Sequence, residues 1–140
     1  MSAIVVTAPV VPLLTEPSVR SEQATQLVLG RTARVIEDRG EWYQVQVASD
    51  DYVGWCHSGY CRLLDDEACT VWANTAEGWS EGAVVEQGDR LVRVPLGGRV
   101  RQSRHGVELP DGTHGRVLSG RIVPAATIAV EARAVPVDRW

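Results

Sequence analysis

Between residues 31 and 64, apolar and polar side chains alternate with the period of a strand rather than a helix. RTARVIE (31–37) and WYQVQVA (42–48) are extended runs, the second placing Tyr43, Val45 and Val47 on one face. DRGE (38–41) between them is a turn, so the pair predicts an antiparallel hairpin. YVGWC (52–56) is a third short strand, in which Gly54 predicts tight curvature or a close backbone neighbour. HSGY (57–60) turns the chain before CRLL returns to extended form. Glycine and proline interrupt the sequence too often for a long helical pattern to survive. Short, bent strands of this kind are expected to close into a small barrel, because closure removes exposed sheet edges. The segment 13–30, LLTEPSVRSEQATQLVLG, then reads as a long functional loop between the first strand and the central hairpin, with helical potential only over about residues 19–29.

The second half repeats this plan. YVGWCHSGYCRL from Tyr52 aligns with THGRVLSGRIVP from Thr113, so that Gly54 meets Gly115 and Gly59 meets Gly120. LGRTAR from Leu29 likewise aligns with LGGRVR from Leu96. Glycines at matching positions imply matching turns. The stretch ELPDGT (108–113) is a further turn and ANTAEGWSEG (73–82) reads as loop. The expected fold class is therefore all-β, two tandem small barrels. The expected organisation is a first domain over 1–64, a divergent second domain over 65–128, with the boundary near LDDEA (64–68), and an extension or linker over 129–140. The run 125–140 is expected to begin as a closing strand. Each half of a 140-residue chain is near the size at which a barrel core is marginal alone, so the two are expected to lean on each other.

Charge narrows the list of partners. The net charge is −4 and all 14 basic residues are arginine, dispersed among acids, which disfavours nucleic acid. The arginines between Arg90 and Arg104 are interleaved with Val92, Val94 and Val100 and read as a charged strand face. No run is long enough for a membrane span. The opening MSAIVVTAPVVPLL lacks a basic segment and carries Pro9 and Pro12, so it reads as neither leader nor anchor. Cys56, Cys61 and Cys69 make an odd set without metal-ligand spacing, which points to reduced thiols filling strand positions in a cytoplasmic protein.

Catalytic chemistry finds little support. Cys56 and His57 are adjacent, so in a strand they point to opposite faces and cannot form a nucleophile pair. The set Cys56, His57, Cys61 and Cys69 lacks the close paired spacings of a zinc site, and LGGR is not a phosphate loop, so no metal or cofactor is expected. Binding has more to work with. Trp42, Tyr43, Tyr52, Trp55 and Tyr60 fall within nineteen residues and make up five of the eight aromatics. Such side chains suit a shallow peptide groove, although Tyr43 and Trp55 compete for roles in the core. Asp50 and Asp51 precede Tyr52, and Glu16 precedes Pro17. A carboxylate beside a phenol can hold an ammonium group, whereas a turn cap (Asp50, Asp51) or a solvated loop side chain (Glu16) is the structural alternative.

The order of loop with EPS, then QLVLG, GEWYQV, DDYVGW and YCRL resembles the bacterial SH3-like domains that precede the catalytic domain of NlpC/p60-like cysteine peptidases. Within that family the pattern is most similar to enzymes that cleave murein peptides after D-glutamate when the peptide has a free amino-terminal L-alanine. The resemblance runs from about Val5 to Leu64, rests most on Gly40-Glu41-Trp42-Tyr43 and Asp51-Tyr52-Val53-Gly54-Trp55, and is fainter over 65–123. It implies that the two barrels are SH3-like and that the chain is a non-catalytic recognition module. The partners it implies are a murein peptide and a papain-like domain, whose Asp-Cys-Ser-Gly hallmark is absent from the sequence. It also implies that an acid and a tyrosine receive the L-alanine ammonium. By motif position these are Glu16 and Tyr52, with Asp51 as the second choice of acid and Trp55 as an accompanying substrate-binding aromatic. The alternative is a stand-alone peptide or protein-interaction adaptor.

Overall fold

The computed structural model describes residues 2–47 and 52–124. The first half contributes seven strands: β1 (Ser2–Val6), β2 (Val10–Leu14), β3 (Gln23–Val28), β4 (Thr32–Asp38), β5 (Trp42–Val47), β6 (Val53–His57) and β7 (Cys61–Asp65). They form one antiparallel sheet in the order β3-β2-β6-β5-β4-β1-β7. A helix, α1 (Asp66–Thr75), follows. The second half contributes β8 (Gly78–Ser80), β9 (Val84–Gln87), β10 (Arg90–Arg93), β11 (Arg99–Ser103), β12 (Gly106–Glu108), β13 (His114–Ser119) and β14 (Ile122–Pro124). Their order is β10-β9-β13-β12-β11-β8-β14, the same permutation displaced by seven strands. The matching glycines of the sequence thus mark a repeat of topology.

The expectation of two closed barrels is incorrect. Among the described residues neither sheet closes on itself: β3 and β7 end the first sheet, and β10 and β14 end the second, without pairing. The alternation from which closure was inferred establishes which face is buried and says nothing about whether the two edges meet. In the first sheet the edge strand β7 is succeeded by α1, whose buried Trp72 and Ala76 pack with Val5 and Leu64 where further sheet would otherwise lie. The helix itself had been read as a boundary. Its start is nonetheless encoded: Asp65 Oδ1 accepts from the Ala68 N–H at 2.7 Å, and Asp66 and Glu67 in the first turn complement the helix dipole.

Two loop assignments also change. Segment 13–30 contains the end of β2 and all of β3, paired from Val10↔Val28 to Leu14↔Gln23. It is a hairpin because Leu13 and Leu27 bury against Ile4, Val11 and Val45 in the first core, leaving only its tip as loop. Segment 73–82 likewise holds the end of α1 and β8. In β8, fully buried Ser80 is satisfied by donating to Val94 O at 2.7 Å and accepting from Ala83 N at 2.9 Å. The closing strand expected after residue 124 lies outside the described residues.

The halves are joined at residues 29–31, between β3 and β4. Leu29, from the first half, is buried in the second core with Val85, Val94 and Val100. Its carbonyl accepts from the Arg99 N–H at 2.8 Å. The Gly30 carbonyl accepts from the Trp72 indole N–H at 2.8 Å. Gly30 has φ +85°, and a Cβ there would lie 1.9 Å from the Arg99 carbonyl oxygen. Elsewhere Arg62 Nη1 donates to Pro110 O at 3.2 Å.

Gly30→Ala is expected to cost roughly 3 kcal/mol or more, from a left-handed backbone plus a clash with rigid main chain. Gly40→Ala shares the conformation, with φ +82° and no neighbour within 4 Å, and is expected to cost about 1 kcal/mol. Urea denaturation of both variants measures the difference, and equal losses would show that the close approach does not hold the halves together.

Candidate functional site

The site is assembled at one end of the β2–β6 pair. Leu14 of β2 lies opposite Trp55 of β6. Gly54 makes this approach possible, since a Cβ there would stand 3.0 Å from Leu13 Cβ and 3.3 Å from Leu14 O. Antiparallel register then carries the chain after Leu14 alongside the chain before Trp55. Glu16 is two residues past the first and Tyr52 three before the second, so both emerge at the same end of the pair.

Each is held by local bonds. The Glu16 N–H donates to Ser21 Oγ at 2.9 Å, while the Glu16 carbonyl accepts from Ser18 N at 2.8 Å. These bonds fold residues 15–22 into a compact tip that leaves the Glu16 side chain at the surface. The Tyr52 carbonyl accepts from Val47 N at 2.8 Å, and its side chain is 38% exposed, not sealed in the core. Asp50 and Asp51 lie outside the described residues. Trp55 is 7% exposed, with the Arg39 guanidinium 4.7 Å above its ring. That arginine is in turn anchored by Glu37. This arginine had no signature in the sequence: it reaches Trp55 from the β4–β5 turn only because β5 and β6 pair.

The aromatics clustered in sequence do not make one surface. Trp42 lies opposite His57 at the far end of β5–β6, with ring centroids 5.2 Å apart, and His57 in turn meets Tyr60 at 5.9 Å. Five residues of strand, about 16 Å at ordinary rise, separate this group from Tyr52. Tyr43 packs against the first core. Burial and the nearby Asp38 carboxylate push its phenol pKa up.

Cys56 is fully buried and its Sγ lies 3.6 Å from Cys61 Sγ. The adjacent His57 turns away and accepts the Gly59 N–H at Nδ1, 3.0 Å. Cys56 therefore has no histidine partner from its neighbour in the strand. The Cys61 thiol, hydrogen-bonded to Cys56 and shielded from water, is held above the ordinary thiol range. Burial also raises Cys69. Among the described residues no group of three or more His, Cys, Asp or Glu side chains is arranged to hold a metal ion.

The second half lacks this arrangement. By the glycine alignment, Arg116 takes the place of Trp55 and lies opposite Glu86, with which it forms a 2.7 Å ion pair. Thr113 stands where Tyr52 does, and the tip that carries Glu16 is replaced by a turn at Gly88 and Asp89 between β9 and β10. The acid and phenol are features of the first half alone.

Comparison with known proteins agrees with this division. Residues 13–58, a third of the chain, match the family described as the bacterial dipeptidyl-peptidase Sh3 domain. That match runs from the end of β2 through β6 and includes both Glu16 and Tyr52. Among solved structures, an NlpC/P60 family protein from Bacillus cereus ATCC 10987 superimposes with a TM-score of 0.66 at 15% identity, over 88% of this chain and 57% of that one. A novel NlpC/P60 endopeptidase from Photobacterium damselae subsp. piscicida superimposes with a TM-score of 0.59 at 12% identity, over 87% of this chain and 33% of that one. No curated protein matches the chain. The chain thus shares its fold with these two structures, and residues 13–58 are similar to the Sh3 domain family. The chain spans little more than half the length of the first of these structures and a third of the second.

With one thiol buried and two held high, alkylation by iodoacetamide at pH 8 is expected to run at least about tenfold slower in the folded chain than in urea. Mass spectrometry of the products should find Cys56 modified last. Rapid labelling of Cys56 in the native protein would show that its strand opens.

Proposed function

We propose that this chain is the non-catalytic substrate-recognition module of a murein-peptide γ-D-glutamyl-diamino acid endopeptidase. Glu16 and Tyr52 receive the free amino terminus of an L-alanyl peptide, and a papain-like domain supplies the cysteine nucleophile. The observation that carries the reading is the Leu14↔Trp55 pairing, which brings the Glu16 tip and Tyr52 to one exposed end of the first sheet. The likeness in fold to NlpC/P60 structures longer than this chain supports a catalytic domain outside these residues.

The chemistry follows from charge. An ammonium group placed between a carboxylate and a phenol oxygen gains a charge-assisted hydrogen bond from the first and a directed bond from the second. An acylated or internal peptide has no ammonium to offer, and docking it would leave the carboxylate desolvated without a partner. Trp55, under its Arg39 cover, supports the floor of the site. Asp51 is the second choice of acid in this scheme.

Calorimetric titration of the chain with L-Ala-D-Glu is expected to show weak, saturable binding, because the rest of the cleft lies elsewhere. Acetylating the peptide's amino group should weaken binding by about tenfold or more, and Glu16→Gln should produce the same loss. Tyr52→Phe is expected to have a smaller effect. Equal affinity for the free and acetylated peptides would refute amine recognition and favour an interaction adaptor.

A further inference from the structure

A cavity of about 510 Å³ opens beside the joint between the halves, and neither Glu16 nor Tyr52 is among its lining residues. It is lined by Thr25 and Gln26 of β3, Val47 of β5, Trp72 of α1, and two arginines, Arg31 and Arg99. Among the described residues, no aspartate or glutamate lines it. Each guanidinium is fixed through Nε alone: Arg31 donates to Gly97 O at 3.1 Å and Arg99 to Ala76 O at 2.9 Å. Arg31 also lies 4.9 Å from the Trp79 ring, which holds its plane.

These two differ from the other paired arginines. Arg39, Arg101, Arg116 and Arg121 each sit on a glutamate. Among the described residues, Arg31 and Arg99 have no carboxylate within ion-pair distance. Glu77 is near enough for Arg99 to feel its charge without pairing to it, and Arg31 feels the charge of Arg99. Burial lowers the pKa of both groups, the direction expected where a positive charge lacks a counter-ion. Two partly desolvated cations facing one cavity form a standing repulsion that a bound anion would relieve.

We propose that this cavity is a binding site for the carboxylate of a small organic acid. The terminal nitrogens of two anchored guanidinium groups present planar forks that match the two oxygens of a carboxylate. Thr25 and Gln26 of β3 add polar residues to the lining, and Val47 with Trp72 gives the aliphatic part of the ligand an apolar surface. The Trp72 N–H is already committed to Gly30 O, so the indole acts as wall and not as donor. Because Trp72, Gly30 and Arg99 also join the halves, an occupied cavity strengthens the joint.

The test is a titration of the whole chain with sodium succinate at constant ionic strength, followed by two-dimensional nitrogen–proton NMR, with inorganic phosphate and chloride as parallel arms. Saturable shifts of the Trp72 indole and of the Arg31 and Arg99 Nε–H signals are expected, with the Trp42 and Trp55 indoles unmoved. Arg31→Gln and Arg99→Gln should each weaken succinate binding by about tenfold, whereas Arg90→Gln on the exposed β10 edge should not. If a variant fails to fold, the native chain's indole and guanidinium shifts decide the matter alone. Absence of saturation by succinate, identical shifts with chloride, or saturation by phosphate only would each overturn the assignment.

Discussion

The structure depends on a contact with no room for a side chain, where the Gly30 backbone passes against the Arg99 carbonyl. On either side of this point the first half sends Leu29 into the second core and Arg31 across to the Gly97 carbonyl. The second half returns Arg99, whose N–H bonds to Leu29 O. Trp72 closes the joint by donating to Gly30 O. The core of each half is small, and burying Leu29 in the opposite core makes the stability of each depend on the other. The short α1 contributes through Trp72 and Ala76, which pack with Val5 of β1 and Leu64 of β7.

Around this joint the chain builds one topology twice and uses it differently. In the first half the β2–β6 contact is apolar, Leu14 against Trp55, and an eight-residue tip follows β2. In the second the equivalent contact is the Glu86–Arg116 ion pair and the tip is reduced to a tight turn. An exposed ion pair contributes little to stability, so this position in the second half is under weak packing constraint. The first half keeps a buried tryptophan there, so one topology carries an apolar contact in one half and a polar contact in the other.

The thiols fit this division. Cys56 and Cys61 bracket the turn that carries Gly59 and Tyr60, and their sulfurs meet inside the first core. They fill space at the foot of β6 and β7 and keep that turn aligned. His57 caps the turn through its ring nitrogen and makes edge-on ring contacts with Trp42 and Tyr60. A sequence in which Cys56 and His57 adjoin therefore places one in the core and the other on the surface, as the alternation of a strand requires.

Period-two alternation determined the strands β4 to β7, the β4–β5 hairpin and the faces they bury, because these depend on neighbours within a few residues. Matching glycines likewise revealed the repeat, since a left-handed turn or a backbone passing at contact distance leaves glycine as its trace. Motif order singled out Glu16, Tyr52 and Trp55 as candidates, since the resemblance rests on short local segments. Only tertiary structure decided that 13–30 is a hairpin rather than a loop, because its two leucines find their partners in distant strands. It also decided that the sheets stay open, since edge pairing is a long-range event that no local pattern encodes. The same holds for Arg39 over Trp55 and for Arg31 and Arg99 in one cavity. Each guanidinium is brought to its place by a backbone crossing between segments far apart in the chain, and alternation records a residue's face without recording what lies across from it.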